Sequence, residues 1–126
     1  MAARLAFSRP AMSVAVFGTY LLTLGAVLII APNLLLGLFR MAPTTEVWIR
    51  IVGMLVLFLG TYYVLAALSE VRAFFRWTVP IRFCVLVFFG GFVLSGYAPA
   101  VLLVFGVADV AGACWTAWTL RATPAD

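Results

Sequence analysis

The chain has no histidine and no lysine, and only four carboxylates among its 126 residues: Glu46, Glu70, Asp109 and Asp126. Without histidine, a His-ligated haem or a His-bound zinc site is excluded, and no cofactor or metal is expected. Cysteine is nearly as scarce. Cys84 and Cys114 make neither a C-x-x-C redox motif nor a familiar metal-ligand spacing. All eight basic residues are arginines, scattered without a basic run, so the formal charge of +4 leaves no footprint for nucleic acid. Charged residues make up 10% of the chain against 67% apolar ones, at a mean hydropathy of +1.22. That is too little polar surface to cover a soluble globule. An all-α integral membrane protein is expected, with the lipid bilayer as its first partner.

Charge-free windows mark the spans. The first runs from Pro10 to Phe39 and predicts a helix over about 11–31, ended by Pro32-Asn33 because proline removes a donor and restricts the residue before it. Arg4 and Arg9 before an apolar run resemble the start of a signal peptide. The run is too long for one and lacks a convincing small-x-small cleavage site. Residues 34–41 are too few to span; they suit a short interfacial segment or an apolar loop packed on the other helices. A second window predicts a helix over about 46–68, capped by Thr44 or Thr45. The stretch from Phe83 to Leu120 holds a single charge and is twice a span in length. The turn cluster Ser95-Gly96-Tyr97-Ala98-Pro99 splits it into helices at about 80–96, with Pro80 in the first position, and about 99–120.

Four helices joined by short loops predict one membrane domain over 1–126, an up-down-up-down bundle. With the N-terminus inside, Arg4, Arg9, Arg72, Arg76, Arg82 and Arg121 fall on the cytoplasmic face and Arg40 and Arg50 on the other. The arginine bias therefore puts both termini in the cytoplasm and the protein in a plasma (inner) membrane.

In lipid, small residues that let backbones approach must supply much of the association between helices. Gly18 and Gly25, and Gly53 and Gly60, stand seven apart, two turns along one face. Gly106 and Gly112, with Ala113, mark the last helix. These six glycines are the expected packing positions.

Asp109 is the deepest charge by sequence, about 15 Å from either end of its helix at about 1.5 Å per residue, and an intramembrane charge is a functional candidate by default. Every other ionisable group is expected within about two turns of an interface. A carboxyl alone in hydrocarbon is neutral and donates a hydrogen bond, whereas an arginine within reach keeps it ionised. Arg50 is the one arginine the expected boundaries bring near, and it meets Glu46 more naturally at the i, i+4 spacing. Thr19, Tyr20 and Thr23 fall at a similar depth, and the Tyr20 hydroxyl is the first partner to name for Asp109. Asp109 then serves either as an interhelical hydrogen bond or in handling protons or a solute.

The loop Ser69–Trp77 sets Arg72 and Arg76 four apart beside Phe74, Phe75 and Trp77, a pattern for anionic headgroups, a docked subunit, or plain positive-inside topology. Cys84 and Cys114 are read as small core residues. The Gly-x-Tyr of the first helix, the Pro32 break, and Glu46 to Gly53 with Arg50 between resemble the small four-helix bacterial membrane proteins of the DoxX-like kind. The resemblance covers the first half of the chain and implies architecture only. No nucleophile–base pair is visible. The leading expectation is an accessory or assembly subunit of a membrane complex. The alternatives are a homo-oligomeric carrier or channel, and a membrane-embedded enzyme or lipid-binding protein.

Overall fold

A computed structural model describes residues 7–124, which leaves Arg4 and Asp126 outside the described residues. Within them the protein is all-helical: α1 (Arg9–Ile30), α2 (Pro32–Leu38), α3 (Trp48–Leu68), α4 (Arg72–Leu94), a 3-10 turn (Ala100–Leu102) and α5 (Leu103–Ala122). Four helices are long and apolar enough to cross a membrane: α1, α3, α4, and the 3-10 turn taken together with α5. At about 1.5 Å per residue each approximates the thickness of a hydrocarbon core.

Three boundaries differ from the sequence expectation. The segment expected over 34–41 is the two-turn helix α2, opened by Pro32 at N1, with Leu36 buried and Leu34 and Leu38 exposed. The helix expected from 46 begins at Trp48, because Thr44 is engaged elsewhere. Asn33 accepts from the Thr44 N–H at 2.9 Å and donates to its carbonyl at 3.0 Å. The Thr44 hydroxyl accepts from the Glu46 N–H at 3.1 Å, leaving Glu46 ahead of the helix.

The largest difference is α4, which starts at Arg72 and carries Pro80 in its interior. Proline is tolerated inside membrane helices because neighbouring groups and local adjustment satisfy the backbone it frees. Ser69, Glu70 and Val71 are all that separate α3 from α4, so the expected loop through Trp77 is helix.

Three helices end in the same way. The N–H of Met41, Val71 and Tyr97 each reaches back to the carbonyl of Leu36, Ala66 and Phe92, with Arg40, Glu70 and Gly96 in the left-handed region at φ 55°, 50° and 81°. This is the Schellman arrangement, in which glycine is the usual occupant. Arg40 and Glu70 therefore hold a conformation that L-residues adopt only at a cost.

The chain divides into two compact units. One is Val16–Leu65; the other consists of the two ends, through Ala15 and from Ala66 onward.

In the Val16–Leu65 unit α1 and α3 meet along glycine. A Cβ added to Gly18 would lie 3.1 Å from the Gly60 carbonyl oxygen, and one on Gly60 would lie 2.8 Å from that of Gly18. A Cβ on Gly25 would lie 2.6 Å from the Leu57 backbone nitrogen and 2.7 Å from the Gly53 carbonyl oxygen. The two heptad pairs thus face each other in antiparallel order, with backbone against backbone. Phe17 stacks tilted on Tyr63 at 5.6 Å and on Tyr20 at 5.5 Å beside this seam.

Candidate functional site: a buried arginine in a hydroxyl cluster

The unit built from the two ends is held by polar groups. The buried face of α4 is Phe75, Thr78 and Arg82, spaced three and four apart, and that of α5 is Gly106, Ala113, Thr116 and Thr119. Leu86 of α4 fills the space beside Gly106, where a Cβ would lie 2.8 Å from its Cδ1. α1 adds Pro10, Ala11, Ser13 and Val14, all buried.

Because α4 begins eight residues earlier than expected, Arg82 stands near its midpoint, about 15 Å from one end and about 18 Å from the other. It is 1% exposed. The sequence placed it at the cytoplasmic surface; it is instead a mid-span charge sealed in protein. Helical side chains lean toward the N-terminus, which brings the guanidinium back over Thr78. Nη2 donates to the Thr78 hydroxyl at 2.9 Å and to the Thr116 hydroxyl at 2.8 Å, and Nε approaches the Thr78 carbonyl at 3.4 Å.

The hydroxyls run in one direction. Ser13 donates to the Pro10 carbonyl at 2.7 Å, which uses its only proton. In the 2.8 Å contact between Ser13 and Thr116 the donor is therefore Thr116. The chain reads Arg82 to Thr116 to Ser13 to Pro10, crossing from α4 through α5 to α1. Aligned donors polarise one another, and an ionised donor at the head strengthens each link. Thr78 donates to the Phe75 carbonyl at 2.8 Å and Thr119 to the Thr116 carbonyl at 2.9 Å, so these hydroxyls find acceptors on their own helices.

Asp109 lies two turns from Thr116 on α5 and is half-buried. Arg50, the arginine named from sequence, goes elsewhere: its guanidinium donates to the Ile29 carbonyl at the C-terminus of α1, where a cation suits the negative end of the helix dipole. The expected Glu46–Arg50 helical pair does not form, since Glu46 precedes α3. Of the other polar candidates, the Thr23 hydroxyl turns back to the Thr19 carbonyl at 3.0 Å, and Thr19, Tyr20 and Thr23 belong to the Val16–Leu65 unit. Gly112 is half-buried on α5.

The residues expected in an interfacial loop have more specific positions. Phe75 is fully buried, Phe74 half-buried, and Arg76 and Trp77 exposed in the first turns of α4. Arg72 caps α5, its Nη2 donating to the Leu120 carbonyl at 3.0 Å and also to that of Thr123. Glu70 caps α1. Its carboxylate accepts from the Ser8 N–H at 2.8 Å and the Ser8 hydroxyl at 2.7 Å, while Ser8 itself accepts from the Ala11 N–H at 3.2 Å. An acid thus sits at the positive end of one helix and a base at the negative end of another, two residues apart in sequence. Cys84 and Cys114, expected in the core, are exposed, because the buried stripes through Arg82 and Thr116 leave both on the opposite faces of their helices.

Sequence reasoning missed Arg82 and its hydroxyl partners for a single reason, the reading of Pro80 as a helix start. The signal available was Phe75, Thr78 and Arg82 at i, i+3 and i+7, opposite Thr116 and Thr119 at i, i+3. Comparison of the chain with models of protein families, with curated proteins and with solved structures yields no match.

Proposed function

We propose that this is a multi-pass integral membrane protein of the inner membrane that works as a subunit of a larger membrane assembly. The observation that carries the reading is the uneven burial of its helices. The most apolar stretch of α1 is 44% buried within the chain, that of α4 only 11%. α4 turns Phe75, Thr78 and Arg82 inward and leaves Ile81, Val87, Phe88 and Phe92 exposed, with open space at Gly90 and Gly91 where another backbone can approach. The up-down-up-down bundle, the cytoplasmic termini and the kinship with DoxX-like proteins belong to this proposal. The arginine bias still supports the orientation once Arg82 is removed from the count, with Arg4, Arg9, Arg72, Arg76 and Arg121 on one side and Arg40 and Arg50 on the other.

A photoreactive residue at Phe88 tests it. Capture of one protein partner in high yield, while the same probe at Val16 captures lipid, is the expected result; lipid alone at Phe88 counts against the reading. A single cysteine at Pro43 should label from outside the cell, and labelling only after permeabilisation would reverse the topology.

One observation favours a second reading, a homo-oligomeric carrier. Asp109 is a half-buried carboxyl within the fourth apolar span. That reading requires Asp109→Asn to abolish a proton- or potential-driven flux while the helices stay assembled.

A further inference from the structure

Where α1 begins and α5 ends, a groove of about 280 Å³ opens to the surface, lined by Phe7, Arg9, Met12, Trp115, Trp118 and Thr119. All six belong to the unit built from the two ends. The mouth of the groove is cationic. The Arg9 guanidinium carbon stands 5.5 Å from the centroid of the Trp118 ring, and both side chains are exposed. The floor is apolar and runs inward: Met12 is one turn along α1 from Arg9, and Trp115 one turn back along α5 from Trp118. Thr119 also lines the groove, 2% exposed, its hydroxyl already donated to the Thr116 carbonyl.

A ligand for this shape has an anion at the end of the helices and an apolar body that descends beside them. We propose that the groove holds one anionic phospholipid, its phosphate on the Arg9 guanidinium and part of one acyl chain along Met12 and Trp115. Charge decides for this occupant over a zwitterionic lipid or a neutral helix. Arg9 is the one ionised side chain among the lining residues, and stacking on Trp118 presents its planar guanidinium to phosphate oxygens. The carboxylate of Glu70 is held on Ser8, accepting from its N–H and its hydroxyl. The volume lies just below the usual range for a small-molecule pocket, enough for a segment of one chain while the remainder stays in the bilayer. The inference does not depend on the subunit reading, since the groove lies on α1 and α5 and the face assigned to a partner lies on α4.

The test uses the full chain reconstituted in vesicles of phosphatidylcholine mixed with phosphatidylglycerol of the same acyl composition, extracted in mild detergent and weighed intact by mass spectrometry. One phosphatidylglycerol should be retained in preference to phosphatidylcholine. Arg9→Gln should cut that preference about fivefold, the effect of one basic residue lost near an anionic surface. Arg121→Gln, a basic residue at the same end but outside the groove, should leave it unchanged. No preference in the native chain, or an equal fall from Arg121→Gln, overturns the proposal. A second measurement needs no variant of Arg9. In a chain that keeps Trp115 and Trp118 and has Phe at Trp48 and Trp77, phosphatidylglycerol brominated on its acyl chains should quench the fluorescence more strongly than brominated phosphatidylcholine. Equal quenching by the two lipids overturns it as well.

Discussion

The two units solve the same problem by opposite means. Between Val16 and Leu65, α1 and α3 meet along four glycines that let the backbones touch, with a single cation, Arg50, reaching the Ile29 carbonyl at the end of α1. In the other unit the helices are fastened by a buried arginine, three threonines and a serine. Water offers no competing hydrogen bonds in the hydrocarbon, and lipid tails are as apolar as leucine, so hydrophobicity alone distinguishes no pairing of helices. Close approach selects a partner by shape. A hydrogen-bond chain selects it by chemistry, and tolerates a wider gap because side chains bridge it.

The glycine seam is the more brittle of the two. Gly25→Val, whose first carbon would press on the Leu57 backbone, should lower stability by about 3 kcal/mol, the upper part of the range for overpacking. Gly90→Ala in α4, where nothing lies within 4 Å, should do no harm and stabilise by up to about 1 kcal/mol. Reversible unfolding in mixed micelles would compare them, and equal effects would mean that the seam does not hold α1 to α3.

Thr116→Val keeps the shape of the side chain and removes the hydroxyl between Arg82 and Ser13. A cost of about 2 kcal/mol is expected, with Thr116→Ser losing less than half of it. A neutral Thr116→Val would show that the chain of hydroxyls contributes nothing net. The Glu70 double cap gives a smaller, divided effect. Glu70→Ala should cost about 1 kcal/mol through the lost cap, and Glu70→Gly less, because glycine relieves the left-handed backbone while losing the same hydrogen bonds. The order Gly below Ala in stability would contradict that account. Arg50→Gln comes last, at a few tenths of a kcal/mol, since an exposed cation at a helix C-terminus contributes little.

Much of the layout was legible in sequence because length and hydropathy govern membrane spans directly. Gly18, Gly25, Gly53 and Gly60 stood out for a similar reason, since a heptad of glycine carries its own geometry. The polar site was not legible. Pro80 marks the start of a helix in a soluble protein, and in this one it lies inside α4; misplacing that start by eight residues moved Arg82 from mid-span to the surface. The double cap by Glu70 and Arg72 joins residues about fifty to sixty positions away, and no local pattern announces such pairings.

The mid-span arginine also bears on how the protein is made. A lone arginine at the centre of a helix opposes transfer into lipid by about 2.5–3.5 kcal/mol. Thr116, which accepts from it across the interface with α5, is synthesised 34 residues later. In the proposed membrane topology, a ribosome delivers α4 before the hydroxyl that accepts from its arginine, so the two helices would enter the bilayer most favourably as one hairpin, with the turn around Gly96 leading.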